Sequence, residues 1–158
     1  MPVIETSRKG LSEVVKGLGL FTNSAGTNYS YAVVDVKGAA AVDPIGTMLV
    51  WDGTSAFEPY LAQDIALATA SVLPDGSKVA VTVGTPEAGV GTNRADITLT
   101  TTAQKMIVLY RHAEIDKGGL EEGSITAPNL AEFYTELEAQ GVAVYDPATN
   151  VIPSYVTA

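Results

Sequence analysis

Asp52-Gly53 stands between two apolar runs, Met48-Leu-Val-Trp51 and Phe57-Glu-Pro-Tyr-Leu61. Glycine takes a positive φ at no steric cost, so this dipeptide between β-branched and aromatic residues predicts a hairpin. Met48 to Trp51 has the character of a buried strand. Pro59 marks the second run as an edge strand or a strand start, because proline brings no amide to a ladder. A chain built around such a hairpin folds as a β-rich domain that presents a surface. Nothing from Pro44 to Asp64 has the pattern of a reaction site.

The flanking segments extend the same reading. Tyr29 to Val36 is a strand closed by Lys37-Gly38, and Ala39 to Val42 follows before the turn Asp43-Pro44. Ile65 to Leu73 fits helix and strand equally. Pro74-Asp75-Gly76 is a turn, since Pro presets φ and Gly supplies a positive one. Lys78 to Val83 alternates strictly, Gly84 to Asn93 reads as a loop, and Ala95 to Thr102 reads as a second alternating strand. Lys105 to Arg111 is a continuous apolar strand covered on both faces. His112 to Gly123 is polar and turn-rich.

One late helix is expected. Pro128 sits in its first turn and Gly141 just past its end. Leu130, Phe133, Tyr134 and Leu137 recur at helical spacing, while Glu132, Glu136 and Glu138 fall on other faces. Val142 to Tyr145 reads as a last short strand. About seven strands and this helix predict a mainly β body, a barrel or sandwich with the helix against it.

The N-terminal segment, residues 1–28, reads as an arm outside that body, which is assigned to residues 29–158. Gly17 and Gly19 break any helix there, and Thr22 to Asn28 is a polar connector. Val3, Ile4, Val14, Val15, Leu18, Leu20 and Phe21 have no core of their own, so they are expected to dock on the body or on another chain. The segment also carries Arg8, Lys9 and Lys16, whereas no Lys or Arg follows Lys117. That asymmetry reads either as plain solubility or as an arm that meets an acidic partner.

Composition narrows the function classes. The chain of 158 residues suits one domain, and 46% hydrophobic residues supply a core. A net charge of −9, from 18 acidic and 9 basic residues, opposes binding to nucleic-acid phosphates. With no cysteine, disulfides and thiolate metal sites are excluded. The apolar runs fall short of the roughly 20 residues of a membrane span, so no membrane partner is expected. The start lacks the pattern of a signal peptide, which makes an intracellular origin the expectation.

A search for chemistry finds little. His112 would pair with Glu114 or Asp116 in a catalytic reading, but no nucleophile sits in a recognisable elbow. Asp43, Asp52, Asp64 and Asp75 each lie beside a turn or strand end, the ordinary place for Asp. No calcium-loop or phosphate-loop spacing is present. No catalysis, metal or cofactor is expected. Trp51, Tyr60 and Arg111 are candidate subunit-interface residues. Trp51, Tyr60 and Tyr110 as a sugar-stacking set form the competing ligand-binding reading, and a fibre, tail or baseplate module is a further alternative.

The order of segments resembles the head decoration (capsid cement) proteins of tailed bacteriophages, the phage lambda head protein D-like family. The resemblance covers about residues 30–146. It rests on Gly46-Thr-Met-Leu-Val-Trp51 with its Asp-Gly turn, Tyr60-Leu-Ala-Gln-Asp-Ile-Ala66, Met106 to Asp116, and the helix and last strand from Leu130 to Val144, which close on Leu137-Glu-Ala-Gln-Gly-Val-Ala-Val144. The N-terminal segment is longer than in the simplest members, and Gly84 to Thr102 stands as an insertion. The resemblance implies a β-tulip-like body with an extended N-terminal arm and no catalysis. It implies a homotrimer on the outer surface of the virion head. There it would clamp neighbouring major capsid protein subunits, with the arm adding to the capsid protein's sheet.

Overall fold

A computed structural model describes residues 30–63, 65, 70–91 and 95–145. In chain order the elements are β1 (Ser30–Val36), β2 (Ala41–Val42), β3 (Ile45–Trp51), β4 (Phe57–Pro59), β5 (Val79–Thr85) and β6 (Gly89–Val90). They continue with β7 (Ile97–Thr98), β8 (Gln104–Arg111), β9 (Ala113–Asp116), a 3-10 turn (Lys117–Gly119), α1 (Ala127–Ala139) and β10 (Val142–Tyr145). The fold is mainly β with a single α-helix among the described residues. Strands run in the order β3-β4-β1-β8-β5, and β5 pairs back onto β3, so five strands close into a barrel. Closure removes the unpaired edges that an open sheet would leave.

The alternation of each strand divides the apolar residues between two cores. Every barrel strand sends residues to the first: Val34 and Val36, Leu49 and Trp51, Phe57, Ala80, and Met106, Val108 and Tyr110. This is the barrel interior. Met48, Val50, Val79, Val81, Val83 and Leu109 point the other way, against Ile115, Phe133, Leu137 and Val142. The second core thus lies between the barrel's outer face and a layer made of β9, α1 and β10. Each large apolar side chain buried this way contributes about 1.5–3 kcal/mol. The Trp51 and Phe57 rings pack at 5.2 Å in the first core, and Tyr60 and Phe133 at 5.1 Å in the second.

The outer layer is a βαβ unit. β9 and β10 pair in parallel, from Val142 opposite Ala113 to Tyr145 opposite Asp116, and α1 crosses between them. Phe133 and Leu137 are buried, Leu130 and Tyr134 half-buried, as the spacing predicts. Gly141 leaves the helix at φ +91°, a conformation with a Cβ penalty for other residues. Three anchors tie the layer to the barrel. The Glu121 amide donates to the Gly46 carbonyl at 2.8 Å. The Tyr60 hydroxyl donates to the Asn129 carbonyl at 3.2 Å. The Gln140 side chain bonds to β5 and β8.

The structure corrects several expectations. Ten strands are present among the described residues, where about seven were expected. Ala113 to Asp116 is a strand and not part of a polar turn, because its alternation is short and its partner lies beyond the helix. Within Ala95 to Thr102 only Ile97 and Thr98 form a strand, paired with β2, and Leu99 and Thr100 add backbone hydrogen bonds to Ala40 and Gly38. β5 runs on to Thr85 and turns back into β6, inside the expected loop. β5 is also buried at every residue despite its alternating sequence, because both its faces are covered. Thr82, on its polar beat, accepts the Thr47 amide at 2.9 Å. Pro59 ends β4, which lies between β3 and β1, and is neither an edge nor a start. Of the ambiguous Ile65 to Leu73 stretch, both end residues are buried, and much of the rest lies outside the described residues.

Candidate functional site

The candidate arm residues Val3, Ile4, Val14, Val15, Leu18, Leu20 and Phe21 lie outside the described residues. The three candidate interface residues do not converge. Trp51 is 5% exposed in the barrel interior, and Tyr60 is 2% exposed in the outer core. Within this chain neither presents a ring to a second subunit. Burial raises the affinity of the Tyr60 hydroxyl for its proton, and Glu132 adds to the effect. Tyr110 is 7% exposed, also inside the barrel, so the three aromatics form no open face on which a sugar could stack.

Arg111 differs from the other two. It ends β8 at the surface, and its Nη1 lies 3.7 Å from Asp75 Oδ2. The two residues border a surface cleft of about 310 Å³, lined also by Gly76, Ser77, Lys78, Glu136, Ala139 and Gln140. One wall is the turn before β5. Asp75 Oδ1 accepts both the amide and the hydroxyl of Ser77, at 3.0 and 2.6 Å, which fixes that turn. The other wall is the last turn of α1. Gln140 locks it to the barrel: Oε1 accepts the amides of Lys78 and Val79, and Nε2 donates to the carbonyls of Val79 and Tyr110.

The cleft is polar and carries charge of both signs, from Arg111 and Lys78 against Asp75 and Glu136. The Ser77 hydroxyl is committed to Asp75, and no histidine lines the cleft. His112 sits between β8 and β9 at φ +54°, so it does not share a strand face with Glu114. Among the described residues no group of three His, Asp or Glu side chains is placed to hold a metal ion. No helix among them is long and apolar enough to cross a membrane.

Sequence reading reached Arg111 but not its neighbours. Gln140 had one visible signal, its place just before the helix-ending Gly141. Nothing local in the sequence relates Lys78 to Glu136, because the pairing of β5 with the βαβ layer is long-range.

The class these features define is a closed five-stranded β-barrel with a βαβ layer on one outer face. Comparison of the chain with known protein families, characterised proteins and solved structures returns no match.

Proposed function

We propose that this protein is a structural virion component that binds the outer surface of a tailed-phage head and clamps neighbouring major capsid protein subunits. The observation that carries the reading is how the resembling stretches meet. Gly46-Thr47, Met106 to Asp116 and Leu130 to Val144 are far apart in sequence. In the fold they form one packed unit: β9 pairs with β10, Phe133 and Leu137 seal the layer onto β3, β5 and β8, and Glu121, in the link between the second and third stretches, bonds to Gly46. A shared packing unit gives degenerate motifs a common reason to occur in that order.

The proposed partners are the major capsid protein and further copies of this chain, in the trimer that the resemblance implies. Many copies of a modest interface, each closing one seam, sum to a large effect on the shell. The arm residues from Val3 to Phe21 are assigned to the capsid contact. Phage heads stripped of their own decoration protein should withstand heating better once this protein is added. No gain in head stability at saturating protein would sink the reading. Deleting residues 2–21 should leave a folded body that no longer protects heads.

A further inference from the structure

β1 is the strand that the N-terminal segment runs into, and part of its outer face is open. Val34 and Val36 point into the barrel, so Tyr31 and Val33 point out. Tyr31 reaches the second core, whereas Val33, one outward position further along, is 55% exposed. The strand register shows what lies beside it. Val33 stands opposite Ile107 on β8, Ile107 opposite Gly84 on β5, and Gly84 opposite Val90 on β6. Val90 is exposed as well. These four residues make an apolar row across four strands, roughly 14 Å long at about 4.8 Å per strand. The row begins where the βαβ layer stops, since Ile107 still packs against the second core. On its other side the next outward pair is Asp35 and Lys105, joined by a 2.8 Å ion pair.

We propose that this row is the docking site of the chain's own N-terminal segment, with Leu18, Leu20 and Phe21 laid across it. Position selects that occupant first. Residues 22–29 link Phe21 to Ser30, and Val33 lies three residues further on. Eight residues reach up to about 26 Å when extended, which exceeds the length of the row. A tether this short supplies an effective concentration in the millimolar range, so a separate chain at micromolar concentration competes poorly. The side chains also suit the row. Gly17 and Gly19 disfavour a helix, and in an extended run Leu18 and Leu20 fall on one face. Charge points the same way. Residues 1–29 hold three cations and two carboxylates, which leaves six cations and sixteen carboxylates, a net −10, in residues 30–158. Glu87, exposed in the turn between β5 and β6, places one of those carboxylates three residues from Val90. The docked segment describes the free protein and does not rest on head binding.

The test uses the full chain with a nitroxide on Ala88→Cys, an exposed position in the β5–β6 turn; the natural sequence has no cysteine. In isotope-labelled protein the nitroxide should broaden the amide signals of Leu18, Leu20 and Phe21 more than those of residues 22–28. A segment that is only tethered would show broadening that fades steadily from residue 28 toward residue 1. Isotope-labelled chains without the nitroxide, mixed with unlabelled chains that carry it, should show none in the segment. Val33→Asp should lower the docked population roughly tenfold, because an aliphatic contact is lost and a charge takes its place. Circular dichroism confirms that both variants are folded. Broadening that fades steadily along the segment, that survives Val33→Asp unchanged, or that is as strong in the mixed sample would overturn the proposal. Loss of head protection with the broadening intact would count against the capsid reading alone.

Discussion

The carbonyl oxygen of Gly119 stands 2.2 Å from the point where a Cβ on Gly46 would lie. Gly46 is also held at φ +88°. Both features come from one event, the docking of the βαβ layer onto β3, where Glu121 bonds to the Gly46 carbonyl and bridges to Thr47.

Gly46→Ala should therefore cost about 2–4 kcal/mol, since it combines backbone strain with a clash against main chain. Gly53→Ala is the control. It has a similar φ of +93° but nothing within 4 Å of the added Cβ. It should cost only the strain, about 1–2 kcal/mol. Urea unfolding of the two variants checks the difference. Equal losses would mean that the Gly46–Gly119 approach adds nothing.

Asp52 organises the β3–β4 hairpin. Its Oδ1 accepts the amides of Thr54 and Ser55 at 2.7 and 2.8 Å, and its Oδ2 lies 2.6 Å from Lys37 Nζ. Burial alone would favour the neutral acid. The hydrogen bonds from Lys37 and from the amides of Thr54, Ser55 and Ala56 outweigh it and hold the carboxyl well below the usual carboxylate range. Its contribution to stability is thus present above the unfolded value of about 3.9 and is lost as pH falls below it. Lys37 is shifted upward, chiefly by its hydrogen bond to Asp52. That contribution holds at neutral pH and is lost as pH rises through the raised value. Asp52→Asn should lose roughly 1–3 kcal/mol at pH 7. It should also flatten the fall in stability below about pH 4. Thermal unfolding across pH measures both, and an unchanged acid limb in the variant would contradict this role.

Gln140 fills four backbone hydrogen-bonding positions, at Lys78 just before β5, at Val79 of β5 and at Tyr110 of β8, with one amide at 2.9 to 3.2 Å. Gln140→Ala leaves those groups without partners and should cost about 2–4 kcal/mol. Gln140→Glu keeps the acceptor but loses the donor facing two carbonyls, so it should be no better than Ala. Denaturant midpoints decide the point. A Glu variant close to wild type would show that the Nε2 bonds to Val79 and Tyr110 contribute little.

The strands with strong local patterning were legible from the sequence: β1, the β3–β4 hairpin, β5, β8 and β10, together with α1 and its Pro128 and Gly141 boundaries. The mainly β class followed from them. The existence of two cores was less legible. Alternation on Val79 to Val83 suggests one dry face and one wet one, and only the closure of β5 onto β3 and the βαβ layer buries both. β9 was lost because four residues with two apolar beats look like a turn until the parallel partner 29 residues later is known. The cleft was hidden for the same reason: tertiary packing brings Lys78 and Glu136 to the lining of one cleft, while Trp51 and Tyr60, which are prominent in sequence, serve the cores.

The capsid reading is tested most directly by light scattering of emptied tailed-phage heads that lack their own decoration protein, titrated with this protein. The account predicts that the mass of the heads climbs and levels off at a fixed number of copies per capsid subunit. It also predicts that the protein without residues 2–21 adds no mass. Heads whose mass stays unchanged at saturating protein, across the heads tried, would contradict the account.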